Sequence, residues 1–116
     1  MKFKLIIALV SDDKVDPVLD AARRAGATGC TVITSARGEG LKPKKSFFGL
    51  DLASQRDIAL LVVEEHLSRD ILEAVAEAGH FDDEPETGIA IQIPIEDAVG
   101  LSSQIAEISK KIEDEI

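Results

Sequence analysis

A chain of 116 residues, 45% of them hydrophobic, is long enough for one folded domain with a real core and too short for two. Thirteen basic against 22 acidic residues leave a net charge of −9, which opposes a nucleic-acid backbone as partner and favours a dispersed, soluble chain. One cysteine excludes an intrachain disulfide, and with no signal peptide in view the lone thiol is expected reduced, in the cytoplasm. The apolar opening Phe3–Val10, eight residues, is far too short to span a bilayer and reads as a buried strand. Direct membrane insertion is therefore not expected.

Asp16-Pro17 has the form of a helix start, with Asp as N-cap and Pro at the first helical position. Val18, Leu19, Ala22 and Ala25 then share one face, and Gly26 supplies the left-handed residue that ends the helix. The β-branched run Thr31-Val32-Ile33-Thr34 sits in a second strand from about Cys30 to Ala36. From Arg37 to Gln55 the periodicity fails, and a structureless stretch of that length in a compact domain is a functional loop or a disordered one. It holds Gly38, Gly40, the basic run Lys42-Pro-Lys44-Lys45 and the apolar Phe47-Phe48-Gly-Leu50.

Asp57–Val63 reads as a third strand, and Ser68 as the cap of a helix that buries Ile71, Leu72 and Val75 and stops at Gly79. After an acidic loop, Gly88–Ile95 is a fourth strand; Pro94 has no N–H for a central ladder, so that end of the strand lies at an edge or leaves the sheet. Ile105, Ile108 and Ile112 place a C-terminal helix over the tail. The order is an α+β, ferredoxin-like βαββαβ sandwich with an added helix, in one domain over residues 1–116. Two helices cover one sheet face. The strands are apolar at nearly every position, so the other face must be closed by self-association or by the C-terminal helix.

At this point the chain resembles the PII signalling family over nearly its whole length. The resemblance rests on Lys14–Gly26 for the first helix, Thr28-Gly-Cys-Thr-Val32 into the second strand and Gly38-Glu-Gly40 at the loop base. It continues through the strand and helix of Ile58–Gly79 and through Gly88. It implies a cytoplasmic homotrimer that binds an adenine nucleotide in clefts between subunits. A T-loop, here about 37–55, then regulates a partner, with a membrane transporter favoured, and a B-loop lies at about 80–88. It assigns Thr31 to the base, Gly38 and Gly40 to backbone approach, Arg56 to a phosphate, and Thr87 and Gly88 to the B-loop. Lys42, Lys44, Lys45, Phe47 and Phe48 become the partner-binding loop.

The chain departs from the family in ways that bear on charge. Ile89 stands where a lysine is expected after Gly88, the loop Phe81–Thr87 carries four acids, and no basic residue lies between Arg69 and Lys110. A triphosphate is poorly served, so the expected ligand is AMP or ADP, with no cofactor required. Without tyrosine the family's uridylylation cannot occur, and the protein reads as a divergent PII-like member.

No Ser-His-Asp order, paired-carboxylate cleft or activated thiol can be assembled, so no enzymatic activity is expected. Cys30 reads as a small buried residue. His66 follows Glu64-Glu65 and His80 precedes Phe81-Asp82-Asp83-Glu84, ligand types without the spacing of a known metal site. A trimeric, copper-tolerance-like protein using His66, His80 and the Asp82–Glu86 acids is the alternative from another class. An adaptor that has lost its ligand is a third.

Overall fold

The computed structural model describes the backbone of residues 1–36, 46–47, 50–51, 55–85 and 87–115. Side chains of 46–47, 50–51, 103–104 and 111–115 are outside that description. Strand β1 (Phe3–Ser11) leads through a 3-10 turn (Asp12–Lys14) into α1 (Val15–Arg24) and then β2 (Thr31–Ala36). Two-residue strands β3 (Ser46–Phe47) and β4 (Leu50–Asp51) pair with each other inside the stretch expected to be structureless. The chain continues as β5 (Arg56–Glu64), α2 (Glu65–Gly79), β6 (Gly88–Pro94) and α3 (Ser102–Glu115).

The four long strands form one antiparallel sheet in the order β2-β5-β1-β6. Each crossover, β1–α1–β2 and β5–α2–β6, skips a strand, which is the split βαβ arrangement of a ferredoxin-like fold. Residues alternate between faces. Ile6, Ala8 and Val10 of β1 and Ala59, Leu61 and Val63 of β5 are buried with Val18, Ala22, Leu67, Ile71 and Val75 of the two helices. The opposite face holds Leu5, Ile7 and Leu9, aligned with Val62, Leu60 and Ile58 of β5 and with Ile93, Ile91 and Ile89 of β6. Ile91 and Ile93 are 47% and 42% exposed. In helix α3, Ile108 is buried and Ile105 is exposed.

Pro94 lies at the end of the edge strand β6, where its missing N–H leaves the ladder to β1 intact. Ser11 N–H donates to Thr87 O at 3.2 Å and Ile95 N–H to Phe3 O at 3.1 Å, both between directly opposed residues. Bonded and non-bonded pairs alternate along an antiparallel ladder. So Ile89, Ile91 and Ile93 bond to β1, while the even positions, Pro94 included, turn their backbone outward.

Both helix starts differ from expectation. Helix α1 begins at Val15 after the 3-10 turn, so Asp16 is not its cap and Pro17 is its third residue, still among the amides that have no intrahelical acceptor. Helix α2 begins at Glu65 and is capped by Glu64, whose carboxylate accepts His66 N–H at 2.7 Å. Ser68 lies inside the helix and its hydroxyl donates to Glu65 O at 2.9 Å. At the other end His80, not glycine, takes the left-handed position with φ 58°, while Gly26 does so after α1 with φ 122°. Gly79 serves packing: a Cβ there would stand 2.7 Å from Phe81 Cδ1.

Candidate functional site

The register gathers the ends of both long loops on one margin of the sheet. Ala36, where the first loop leaves β2, pairs with Arg56, where it re-enters β5; Arg56 pairs with Ser11, and Ser11 bonds Thr87 at the start of β6. A bulge between Ile33 and Ala36 turns the exit of β2. Within it Ser35 has φ 60° and its N–H donates to Asp57 Oδ1 at 3.1 Å, which holds a backbone conformation that a serine seldom adopts.

Arg56 is the unusual group at this margin. The residue is only 5% exposed, and its Nε has no hydrogen-bond partner among the described residues. Leaving a buried N–H of a cationic group without an acceptor costs about 1–3 kcal/mol, the desolvation of that donor. An anion delivered from solution would offset that cost.

The loop after α2 is closed on itself. Phe81 N–H donates to Ala76 O at 3.0 Å, and the N–H groups of Asp83 and Glu84 donate to His80 O at 3.2 and 2.9 Å. The buried Thr87 places its hydroxyl 2.9 Å from His80 O and 3.0 Å from Glu84 O, and its one proton serves both. The Phe81 ring packs against Gly79 and Gly88, and a Cβ on Gly88 would also lie 2.5 Å from Leu9 O. The amides of Phe81, Asp83 and Glu84 are therefore spent internally. An anion approaching this segment meets the exposed carboxylates of Asp82, Asp83 and Glu84, the last paired with Lys14 at 3.7 Å.

Thr31 is exposed on β2, opposite Leu60, beside a shallow hollow of about 270 Å³ that it shares with Gly29, Cys30 and Val62. It lies on the opposite edge of the sheet from Thr87 and Gly88: its row runs through Leu60 and Ile7 to Ile91, about 14 Å away across three strand spacings, and Gly88 is three residues further along β6. One protomer therefore brings Arg56, Thr87 and Gly88 to a common margin and leaves Thr31 apart. Cys30, expected to be buried, is exposed. Partial desolvation raises its thiol pKa above 9.0, against smaller lowering contributions from the Leu60 backbone and the Arg23 charge. Gly38, Gly40, Lys42, Lys44, Lys45 and Phe48 lie outside the described residues, and Phe47 is described only as backbone of β3.

The two histidines are placed at opposite ends of α2, about 21 Å apart at 1.5 Å per residue. His66 Nδ1 lies 2.5 Å from Glu64 Oε1, and Glu64, Glu65 and His66 form the one group of three metal-type ligands found among the described residues. The Glu64 carboxylate already serves as the cap. The His80 ring pairs with Asp83, at 3.6 Å. Sequence reasoning missed Glu64, Phe81 and the Ser35–Asp57 bond as structural determinants; each depends on a through-space contact that no local pattern announces.

The sheet order and this pairing of loop bases agree with a family-wide match: the model described as nitrogen regulatory protein P-II covers residues 3–104. The chain belongs to the P-II family. Among solved structures, this P-II chain superposes on CPII of Thiomonas intermedia K12 bound to ADP, AMP and acetate. The TM-score is 0.62 at 18% identity, over 83% of this chain and 90% of that one. A PII-like signaling protein of Thermus thermophilus gives 0.60 at 22% identity, over 82% and 87%. CPII has also been solved with ADP, AMP and bicarbonate, at TM-score 0.62 and 18% identity over 82% and 87%. Identities this low show the shared fold. No curated protein sequence matches this P-II chain. No helix among the described residues is long and apolar enough to cross a membrane.

Proposed function

We propose that this P-II family member is a regulatory homotrimer that binds AMP or ADP in clefts between subunits and signals through residues 37–55 to a partner, a membrane transporter. The observation that carries the reading is Arg56: a buried side chain whose Nε has no acceptor among the described residues, at the margin where both loops begin and end. One cation among several carboxylates suits one or two phosphate groups better than three. The apolar sheet face supports self-association, and the separation of Thr31 from Gly88 across the sheet gives assembly a purpose. Two edges that cannot meet in one protomer can meet between two. CPII, which shares the fold, is described as bound to ADP and AMP.

Ligand would act by favouring one arrangement of the 37–55 segment, which requires contact with it in that arrangement only. The test is calorimetric titration with AMP, ADP, ATP and cyclic AMP, with and without magnesium, on the wild type and on Gly40→Glu and Arg56→Gln. Saturable AMP or ADP binding lost in both variants supports the reading. Silence across the set removes the nucleotide and leaves the ligand-free adaptor.

A further inference from the structure

A nucleotide cleft between subunits sets the β2 edge of one protomer against the β6 edge of the next, and each edge carries an apolar hollow on its helix side. At the β2 edge, Leu19, Ala22 and Leu61 line a hollow of about 120 Å³ that Arg23 and Cys30 also border. At the β6 edge, Leu72, Ala76 and Phe81 line one of about 250 Å³ that Asp82 and Gly88 also border. The two hollows are alike in their apolar lining and opposite in charge. Thr31 follows Cys30 and is the residue that meets Gly88 in such a cleft, so the contact that joins those two carries Arg23 toward Asp82. Asp82 is exposed and has no ion pair among the described residues, whereas Asp83 pairs with His80 and Glu84 with Lys14. Arg23 bonds Asp20 at 3.1 Å, one turn back on α1, with the two side chains 71% and 65% exposed. A pair that exposed contributes little, and the guanidinium has donors to spare for a second carboxylate.

We propose that the neighbouring protomer's Arg23 pairs with Asp82 across the cleft, and that this pair lets an acidic loop border an anion site; the proposal rests on the homotrimer and nucleotide reading above. Two obstacles stand against that reading, and one guanidinium answers both. A chain of net charge −9 repels its own copies, and an opposite-sign pair where the edges meet offsets that repulsion locally. The Asp82 carboxylate also stands on the phosphate's approach to Gly88. Paired with Arg23, it no longer presents an uncompensated negative charge to AMP or ADP. The site is then incomplete in one protomer in a second sense: it lacks the cation that masks its own acid.

The test exchanges the charges. Sedimentation velocity over a dilution series at low ionic strength, without ligand, reads the concentration at which the assembly dissociates, and calorimetric titration with AMP reads the site. Arg23→Glu and Asp82→Arg should each raise the dissociation concentration by about tenfold or more, because each sets like charges together. Combined in one chain they should return it to within about threefold of the wild type. Arg23→Gln and Asp82→Asn, which only remove a charge, should fall between, and Asp20→Asn, which frees Arg23, should not raise it. Where the Arg23→Glu protein is assembled, AMP should bind at least about threefold more weakly, since Asp82 is then bare. Both side chains are exposed, so the variants should keep the fold, which circular dichroism checks. Arg23→Glu assembling like the wild type, or a combined variant as weak as the two losses together, would overturn the pair. Unchanged AMP affinity in the assembled Arg23→Glu protein would overturn its role at the ligand. A monomeric wild type would overturn it together with the homotrimer, whereas an assembled wild type that binds no AMP removes the nucleotide alone and leaves the charge exchange to decide the pair.

Discussion

A methyl group at position 88 would crowd both the Phe81 ring and the Leu9 carbonyl oxygen, the latter at 2.5 Å, whereas at Gly29 nothing lies within 4 Å. Gly88→Ala should therefore cost about 1–3 kcal/mol, as overpacking does. Gly29→Ala should change stability by less than about 1 kcal/mol. Urea unfolding of the two variants makes the comparison, and equal effects would mean that the loop yields around Phe81. Arg56 predicts an opposite pairing of stability and function. Replacing this buried cation, whose Nε lacks an acceptor among the described residues, with Met should raise the unfolding free energy by about 1–3 kcal/mol and abolish AMP or ADP binding. A less stable Arg56→Met protein would show that the guanidinium is satisfied without ligand. Cys30 gives a test in pH. Because its pKa is raised, the thiolate is scarce at neutral pH, and alkylation by iodoacetamide should accelerate with a midpoint above 9.0. A midpoint below that value would place a cation beside the thiol that the structure does not show.

The helix ends separate what a sequence announces from what packing decides. Ser68 offers the right residue type before an apolar run, yet the helix begins three residues earlier because the Glu64 carboxylate, buried to 2% exposure, reaches the His66 amide. Glu64→Ala should destabilise the protein by about 2 kcal/mol, a cap and a buried hydrogen bond together. Ser68→Ala should cost less than about 1 kcal/mol, since a mid-helix hydroxyl returning to its own backbone adds little. Thermal unfolding followed by circular dichroism would reverse the cap assignment if the order came out the other way. The strands were legible for a simple reason. Continuous apolar runs flanked by glycine or acidic loops admit few readings, and all four lie within one or two residues of their expected bounds. Half of the site was legible too. Arg56 and Gly88 occupy loop bases that the element order already marks, but the self-closed amides of residues 81, 83 and 84 belong to a turn whose left-handed residue is His80 and whose Phe81 ring is seated against Gly79 and Gly88, which no residue pattern announces.

At the level of the molecule, one sheet face decides whether the site can exist. Leu5, Ile7 and Leu9 and their aligned partners on β5 and β6 form three parallel rows of aliphatic side chains, of which Ile91 and Ile93 remain exposed. Each such side chain contributes about 1.5–3 kcal/mol when withdrawn from water, so several rows outweigh the entropy of assembling subunits. A charge placed centrally in this face should act on assembly before it acts on folding. Leu60 is that position, aligned with Ile7 on one side and Thr31 on the other. Leu60→Glu should leave the helix-side core intact and yield a folded monomer by sedimentation velocity where the wild type sediments as a trimer. The same variant should lose nucleotide binding although it alters none of Arg56, Thr87 or Gly88, because Thr31 would no longer be supplied from a neighbouring subunit. A folded monomer that still binds AMP or ADP would confine the ligand to one protomer's margin, around Arg56 alone. A variant that remains trimeric would move the interface off this face and onto the sheet edges.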